Sequence, residues 1–204
     1  ENGRIPIVAI TGTNGKTTTT RLMAHVASFS GFTVGFSSTD GIFIDKEKIK
    51  HGDCSGPQSA KTILHDTLVD FAVLECARGG IIRSGLGFDQ CDIAIVTNVA
   101  ADHLGLKDIY TLEDLAVVKS VVPQSVKPEG WAILNANDEL VVQMKNSLEC
   151  NVAFFSSNEE NIHLQEHVSN NGIAIFSYDK KDIYIVKNQE KQFMMNQVNN
   201  LAKG

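Results

Sequence analysis

The sequence predicts an α/β fold in which a mainly parallel sheet is flanked by helices. Short apolar runs alternate along the chain with segments of helical spacing, and a glycine-containing loop joins the first run to the first helix. The chain has 204 residues, 43% hydrophobic and 21% charged, with a net charge of −6. These values are ordinary for a globular α/β protein with one large or two small domains.

The alternation places most of the predicted elements before Cys150. Strands are predicted at 5–10, 33–36, 69–75, 92–98 and 130–134, with a hairpin at 41–50. Helices are predicted at 17–30, 57–67, 112–122 and 138–146. The glycine-rich stretch 78–88 is predicted to be irregular.

The pattern changes after Cys150. Short β runs at 152–155, 173–176 and 183–186 are separated by Asn, Asp and Lys turns, which predicts a small antiparallel β section from about 151 to 195. We treat this section as part of one domain spanning 1–204. Because the sequence begins with neither Met nor a signal peptide, we expect an excised piece of a longer, multidomain protein.

Composition excludes several classes of protein. No Lys/Arg cluster stands out, so a nucleic-acid partner is not expected. No apolar run reaches about 18 residues, so no membrane partner is expected. The four cysteines form no C-x-x-C pair, and with a nucleotide loop and no secretion signal they favour a cytoplasmic protein with reduced, buried thiols.

The segment T-G-T-N-G-K-T, residues 11–17, lies where a phosphate-binding loop is expected, between a strand and a helix. The common loop, G-x-x-x-x-G-K-[ST], would place its first glycine at position 10, which is Ile10, and this sequence has glycine two residues later. Backbone N–H groups and the positive end of the helix dipole can face phosphate oxygens here. The candidate nucleotide ligands are Gly12, Thr13, Asn14, Gly15, Lys16, Thr17 and Thr18.

Two further strands end in polar residues. Glu75 ends one of them, at the sheet edge where α/β proteins bind ligands, and can coordinate Mg²⁺. Asn98 ends the next strand, and Asp102 and His103 follow in the same loop. A neutral imidazole can ligate a metal when a partner orients its other nitrogen. These residues are therefore predicted to join the phosphate loop in one site.

Lys119 is unusual because it lies on or beside the apolar face of the helix predicted at 112–122. It follows Leu115 by four residues and precedes Val122 by three. Such a lysine either extends its ammonium group outward or is buried with a lowered pKa. A buried, deprotonated lysine can react with CO₂ to form a carbamate, which is an anionic metal ligand. The spacing alone leaves both alternatives open.

These motifs together resemble the Mur ligase superfamily of ATP-dependent amide-bond ligases, whose phosphate loop has the same shifted glycine. The resemblance covers about residues 4–146. It implies that Lys16 and the loop bind ATP, that Thr17 and Glu75 bind one Mg²⁺, that His103 helps to bind a second, and that Lys119 occupies the position of the family's carbamylated lysine.

The same resemblance implies a nucleotide-base site and an acceptor site. Asn98 belongs to the implied nucleotide site, and Asn135 and Asp138 lie in a stretch that the family places near adenine, although position 137 is Asn instead of Asp. Arg78 and Arg83 are candidate ligands for the acceptor carboxylate or the transferred phosphate.

A narrower resemblance links the chain to the cyanophycin synthetase family. It rests on "STDGIFID" at 38–45, "GDCSGPQSA" at 52–60, "LECARGGIIRSGLGFDQCD" at 74–92 and "TNVAADHLGL" at 97–106. It implies that arginine is joined to the β-carboxylate of an aspartate polymer, and it allows a homo-oligomer in the full-length protein. It also implies a missing C-terminal lid, so the isolated chain is expected to bind Mg-ATP weakly and not to ligate.

Three alternatives remain at this stage. One is another Mur-like ligase, either a folylpolyglutamate synthase or a cell-wall or pseudomurein peptide ligase. A second is a P-loop kinase or GTPase, although the sequence has no N-K-x-D base-reading motif. A third is a non-catalytic ATP-binding module, which the presence of Lys16, Glu75, His103 and Lys119 disfavours.

Overall fold

A computed structural model describes residues 3–101, 110–179 and 181–195, and these contain one mixed sheet of eleven strands. The strands are β1 (Ile7–Thr11), β2 (Val34–Ser38), β3 (Gly41–Ile44), β4 (Glu47–His51), β5 (Phe71–Glu75), β6 (Cys91–Val96), β7 (Val126–Asn135), β8 (Asn151–Ser156), β9 (Ile173–Tyr178), β10 (Asp182–Lys187) and β11 (Glu190–Met195). The helices are α1 (Lys16–Phe29), α2 (Pro57–Leu64), α3 (Arg78–Ser84), α4 (Leu112–Gln124), α5 (Glu139–Met144) and α6 (Ile162–Ser169).

The middle of the sheet is parallel and both edges are antiparallel. The strand order is β11-β10-β9-β8-β7-β6-β1-β5-β2-β3-β4. Neighbours from β9 through to β2 pair in parallel, whereas β2-β3-β4 and β9-β10-β11 pair antiparallel. The carboxyl ends of the parallel strands therefore meet along one edge, where open α/β sheets bind their ligands.

Alternate residues of the central parallel strands bury against helices on opposite faces of the sheet. On one face Leu74 of β5 lies in a buried cluster with Ile63 of α2, and further clusters on this face include residues of α4, α5 and α6. On the other face Ile10 of β1 packs with Ala24 and Ala27 of α1. This two-sided burial explains why the central strands read as continuous apolar runs.

The predicted strands of the first half are confirmed with small shifts at their ends, but the prediction for 78–88 is wrong. Residues Arg78–Ser84 form α3. Its glycines are poor helix formers, yet Ile81 is buried in the core and Gly80 fits closely against Gly56. These tertiary contacts outweigh the local preference against a helix.

The predicted antiparallel section is confirmed from β9 onward. The preceding part differs, because β8 pairs in parallel with both β7 and β9 and so continues the main sheet. The crossover between β8 and β9 is α6, a helix missing from the sequence prediction. Asn161 caps it by accepting a hydrogen bond from the N–H of Leu164 at 3.0 Å, and Leu164 anchors it in the core.

Two findings bear on the expectations from composition. Within the described ranges, no helix is long and apolar enough to cross a membrane. All four cysteines are free thiols, and Cys54, Cys76 and Cys91 are buried.

His167 is a buried titratable group of this fold. Its Nε2 lies 3.1 Å from the carbonyl oxygen of Val152, and its Nδ1 lies 3.3 Å from Nζ of Lys145. A neutral ring with its proton on Nε2 satisfies both contacts. Burial, with the nearby positive charge of Lys145, lowers the pKa of His167 below its ordinary value.

We expect the free energy of unfolding to fall as the pH drops below about 6.5, the ordinary pKa of histidine. In that range the unfolded chain binds a proton at His167 that the folded chain resists, so this stabilising contribution is lost on acidification. Urea unfolding between pH 7.5 and 5 should show a shallower pH dependence for His167→Gln. A His167→Gln variant that keeps the wild-type pH dependence would contradict this account.

Candidate active site

The phosphate loop lies between β1 and α1, at the carboxyl edge of the sheet. Ile10 is fully buried within β1, so the loop turns two residues later than in the common motif. Gly12 has φ +146°, and a Cβ atom there would lie 1.8 Å from Oγ1 of Thr97. Gly15, with φ +83°, is the N-cap of α1. The shifted glycine is therefore required where the loop packs against the end of β6.

Asn98 holds the loop in place. Its carbonyl oxygen accepts from the N–H of Thr13 at 2.9 Å, and its side-chain Oδ1 accepts from the N–H of Asn14 at 2.9 Å. Its Nδ2 donates to the carbonyl oxygen of Asn14 at 3.0 Å, and Oγ1 of Thr97 donates to the same oxygen at 2.7 Å. The predicted nucleotide-site residue Asn98 thus shapes the loop from the neighbouring strand end.

Three cationic side chains converge beside this loop. Lys16, Arg78 and Lys119 line a cavity of about 190 Å³ that Gly12 also borders. Lys119 is only 3% exposed, so of the two alternatives left by the sequence the structure shows the buried one. Nζ of Lys16 donates to the carbonyl oxygen of Thr13 at 2.9 Å. The positive charges of Lys16 and Arg78 suit this small cavity to a polyanion such as a phosphate chain.

Glu75 supplies a buried carboxylate next to the first turn of α1. Its Oε2 accepts from Oγ1 of Thr17 at 2.8 Å and from the N–H of Thr39 at 3.3 Å. Its Oε1 is also buried, and no described group donates to it. Burial raises the pKa of Glu75 despite these hydrogen bonds and nearby Lys16. An orphaned carboxylate oxygen beside a threonine hydroxyl fits a hard divalent cation.

Thr39 is a site residue that the sequence analysis missed. It directly follows β2, and its Oγ1 lies 3.0 Å from Oγ1 of Thr17. Its position at a strand end of the same sheet edge was the available signal. Among the described residues, no group of three or more His, Cys, Asp or Glu could hold a metal. The oxygens of Glu75, Thr17 and Thr39 suit a hard divalent cation that keeps several waters and phosphate ligands.

Asn135 and Asp138 lie at the same edge, at and just beyond the end of β7. Nδ2 of Asn135 donates to the carbonyl oxygen of Thr97 at 2.7 Å. Oδ2 of Asp138 accepts from the N–H of Val99 at 2.6 Å, and its Oδ1 caps α5. Both residues therefore hold the loop that follows β6 in place through hydrogen bonds. Their contact with adenine stays a prediction.

The remaining predicted residues are placed less centrally or not described. Thr18 is exposed on the first turn of α1. Arg83 is exposed on α3, with its guanidinium over Gly79 and not among the residues lining the cavity. Asp102 and His103 lie outside the described residues, so the second metal ligand stays a prediction.

Sequence comparison identifies the family of this site. The profile of the Mur ligase middle domain matches residues 10–200, nearly the whole chain. The chain belongs to the Mur ligase middle-domain family. Cyanophycin synthetase from Synechocystis sp. is 57% identical over 171 residues, which cover 84% of this chain and 20% of that protein. This Mur ligase domain thus spans about a fifth of the length of that relative.

Solved structures of Mur ligases share the fold. A UDP-N-acetylmuramoyl-L-alanyl-D-glutamate–2,6-diaminopimelate ligase matches 93% of this chain and 39% of its own, with a TM-score of 0.71 and 25% identity. A bifunctional folylpolyglutamate synthase/dihydrofolate synthase with Mn, AMPPNP and L-glutamate bound matches 94% of this chain and 49% of its own, with a TM-score of 0.60 and 19% identity. The second match concerns the fold alone.

Gly12→Ala should abolish nucleotide binding and lower stability by more than the roughly 1–2 kcal/mol cost of a left-handed backbone. The added methyl group meets Thr97 and displaces the loop from Asn98. Gly31→Ala is the matched control, because Gly31 also has positive φ, +97°, but a Cβ atom there meets nothing within 4 Å. Urea unfolding and ATP titration of both variants would separate backbone strain from the clash. Equal effects in the two would contradict this account of Gly12.

Glu75→Gln should remove the stabilisation that Mg²⁺ adds in the presence of ATP. The folded chain holds the proton of Glu75 more tightly than the unfolded chain, so stability from this group is lost as pH rises through its folded pKa. A bound cation offsets that loss. At pH 7.5, Mg²⁺ should raise the melting temperature of wild type and of the control variant Asp53→Asn. Asp53 is an exposed carboxylate near Glu75. A Mg²⁺-dependent rise in melting temperature that is as large in Glu75→Gln as in wild type would contradict the assignment of Glu75 to the cation site.

Proposed function

We propose that this chain is the ATP-binding domain of an ATP-dependent carbon–nitrogen ligase that works through an acyl phosphate. The observation that carries the proposal is the cavity lined by Lys16, Arg78 and Lys119, next to the hydrogen bond from Thr17 to the buried carboxylate of Glu75. The carboxyl edge of the sheet thereby offers one site that can bind a polyanion and another that can bind a divalent cation. Both are needed when one anion attacks another.

The residues divide into three roles. The loop N–H groups and Lys16 hold the phosphate chain of ATP, and the N-terminus of α1 adds its dipole. Glu75, Thr17 and Thr39 hold Mg²⁺, which when bound neutralises charge on the phosphate oxygens. The loops at this edge of the sheet are held in position around the nucleotide by Asn98, Asn135 and Asp138.

The reaction has two balanced steps. The acceptor carboxylate attacks the γ-phosphorus of ATP, forming a carboxyl O–P bond while the bond to ADP breaks. The incoming amine then attacks the acyl carbon, the bond to phosphate breaks, and the amine loses a proton to give the amide. Both steps require positioning and charge neutralisation more than a protein nucleophile.

Lys119 is proposed to act as a carbamate. It is buried at the cavity beside the phosphate loop, four residues after the core residue Leu115 on α4. The carbamate would change this side chain from a cation to an anionic oxygen ligand. His103, in the loop that follows β6, is proposed to join it in binding a second cation.

The substrates proposed are an aspartate polymer as acceptor and arginine as amine, in a cytoplasmic enzyme. The 57% identity to a cyanophycin synthetase favours this pair over a cell-wall substrate, for which the matching solved ligase is 25% identical. Either Arg78 at the cavity or Arg83, five residues further along α3, is proposed to meet the acceptor carboxylate, because guanidinium groups bind carboxylates bidentately. The second candidate is another Mur-like ligase with a different acceptor.

The test is ADP release by the natural full-length protein with Mg-ATP, a short β-aspartyl–arginine primer, aspartate and a panel of amines. We expect turnover to require both aspartate and arginine. Lys16→Ala should lower it by at least about 10²-fold, because it removes a charge that stabilises the transferring phosphoryl group. The isolated 204-residue chain should bind Mg-ATP weakly and not ligate.

Each other outcome has a definite meaning. Turnover with a different acceptor or amine would keep the ligase chemistry and replace the substrate. ATP binding without turnover for any pair would overturn the enzymatic proposal in favour of a regulatory module. Robust ligation by the isolated chain would contradict the expected need for further domains.

A further inference from the structure

Two segments that are distant in sequence form one packed unit beside the cavity. These are residues 52–60, which lead into α2, and residues 74–92, which contain the end of β5 and α3. The N–H of Ala77 donates to the carbonyl oxygen of Ser55 at 3.0 Å. The two segments also enclose a small space lined by Gly56, Glu75 and Ile81. The segment that carries Arg78 is therefore supported directly by the loop before α2.

The closest approach in this unit is between two glycines. A Cβ atom on Gly80 would lie 2.9 Å from Cα of Gly56 and 3.1 Å from Cδ of Pro57, so a backbone would have to move. The reverse substitution is different, because a Cβ atom on Gly56 would lie 3.9 Å from Cα of Gly80, an ordinary contact. Gly56 has an extended backbone that alanine also adopts. The contact thus tolerates a methyl group on one side only.

This contact bears on the cavity because α3 begins at Arg78, two residues before Gly80. Residues 12, 13 and 16 of the phosphate loop line one side of the cavity, and residues 77–79 line another. We assign the loop side of the cavity to the nucleotide. The side formed by α3 then faces the acceptor carboxylate that attacks the γ-phosphorus. A shift of α3 would move Arg78 while leaving the phosphate loop and its bonds to Asn98 intact.

We propose that Gly80 is a positioning residue for the acceptor: its contact with Gly56 sets where Arg78 meets the acceptor carboxylate. This inference rests on the proposed ligase function. A displacement of about 1 Å in a positioned group can lower the reaction rate by up to about a hundredfold. A shift of Arg78 should therefore weaken binding of the acceptor and leave binding of ATP unchanged.

The experiment measures initial rates of ADP release by the full-length protein at varied primer and at varied ATP. For Gly80→Ala we expect kcat/KM for primer to fall roughly tenfold to a hundredfold, chiefly through a higher KM for primer, with the KM for ATP within about twofold of wild type. Gly56→Ala, the matched control, should leave all three unchanged. Arg78→Ala should raise the KM for primer, and the double variant with Gly80→Ala should be no worse than Arg78→Ala.

Several results would overturn the proposal. One is an unchanged KM for primer in folded Gly80→Ala. Another is a joint loss of thermal stability, kcat and ATP affinity in Gly80→Ala, which indicates packing alone. If Gly80→Ala does not fold, an unchanged KM for primer in Arg78→Ala overturns it instead. Wild-type turnover of another acceptor would overturn the proposed substrate only, and the same variants would then be compared on that acceptor.

Discussion

The buried carboxylate of Glu75 is the contact on which the candidate site depends. It joins three segments, because the hydroxyl of Thr17 at the start of α1 and the N–H of Thr39 after β2 both donate to one of its oxygens. Its other oxygen is buried without a described donor, and burial raises its pKa. Burying a carboxylate in this way is unfavourable for folding. This placement agrees with the proposed cation site beside the phosphate loop.

The strand order determines why residues so far apart in sequence share one site. β1 lies between β5 and β6, and each of these strands ends at the same edge. The phosphate loop therefore has Glu75 on one side and Asn98 on the other. The two antiparallel edges of the sheet lie on either side of this parallel centre, and the cavity with Lys16, Arg78 and Lys119 opens at that centre. Membership of the Mur ligase middle-domain family agrees with this arrangement.

The sequence was sufficient where the chemistry is local. The phosphate loop and Glu75 could be located because a strand-loop-helix motif and a strand end can be read from consecutive residues. Lys119 could not be resolved, because its helical spacing fits an outward or a buried side chain and only the packing of α4 decides. α3 was missed because its glycines oppose a helix and the contact that holds it comes from residue 56. Thr39 was missed because no motif marks it.

Asn98 has a consequence for how a nucleotide reaches this protein. Its backbone carbonyl and both ends of its carboxamide are bonded to residues 13 and 14, so hydrogen bonds within the protein itself fasten the phosphate loop to the end of β6. A receptor surface that is shaped in advance loses little conformational entropy on binding. The first encounter with the triphosphate should therefore be a fast, single-step association. Any slow rearrangement in the catalytic cycle must then originate in parts of the molecule other than this loop.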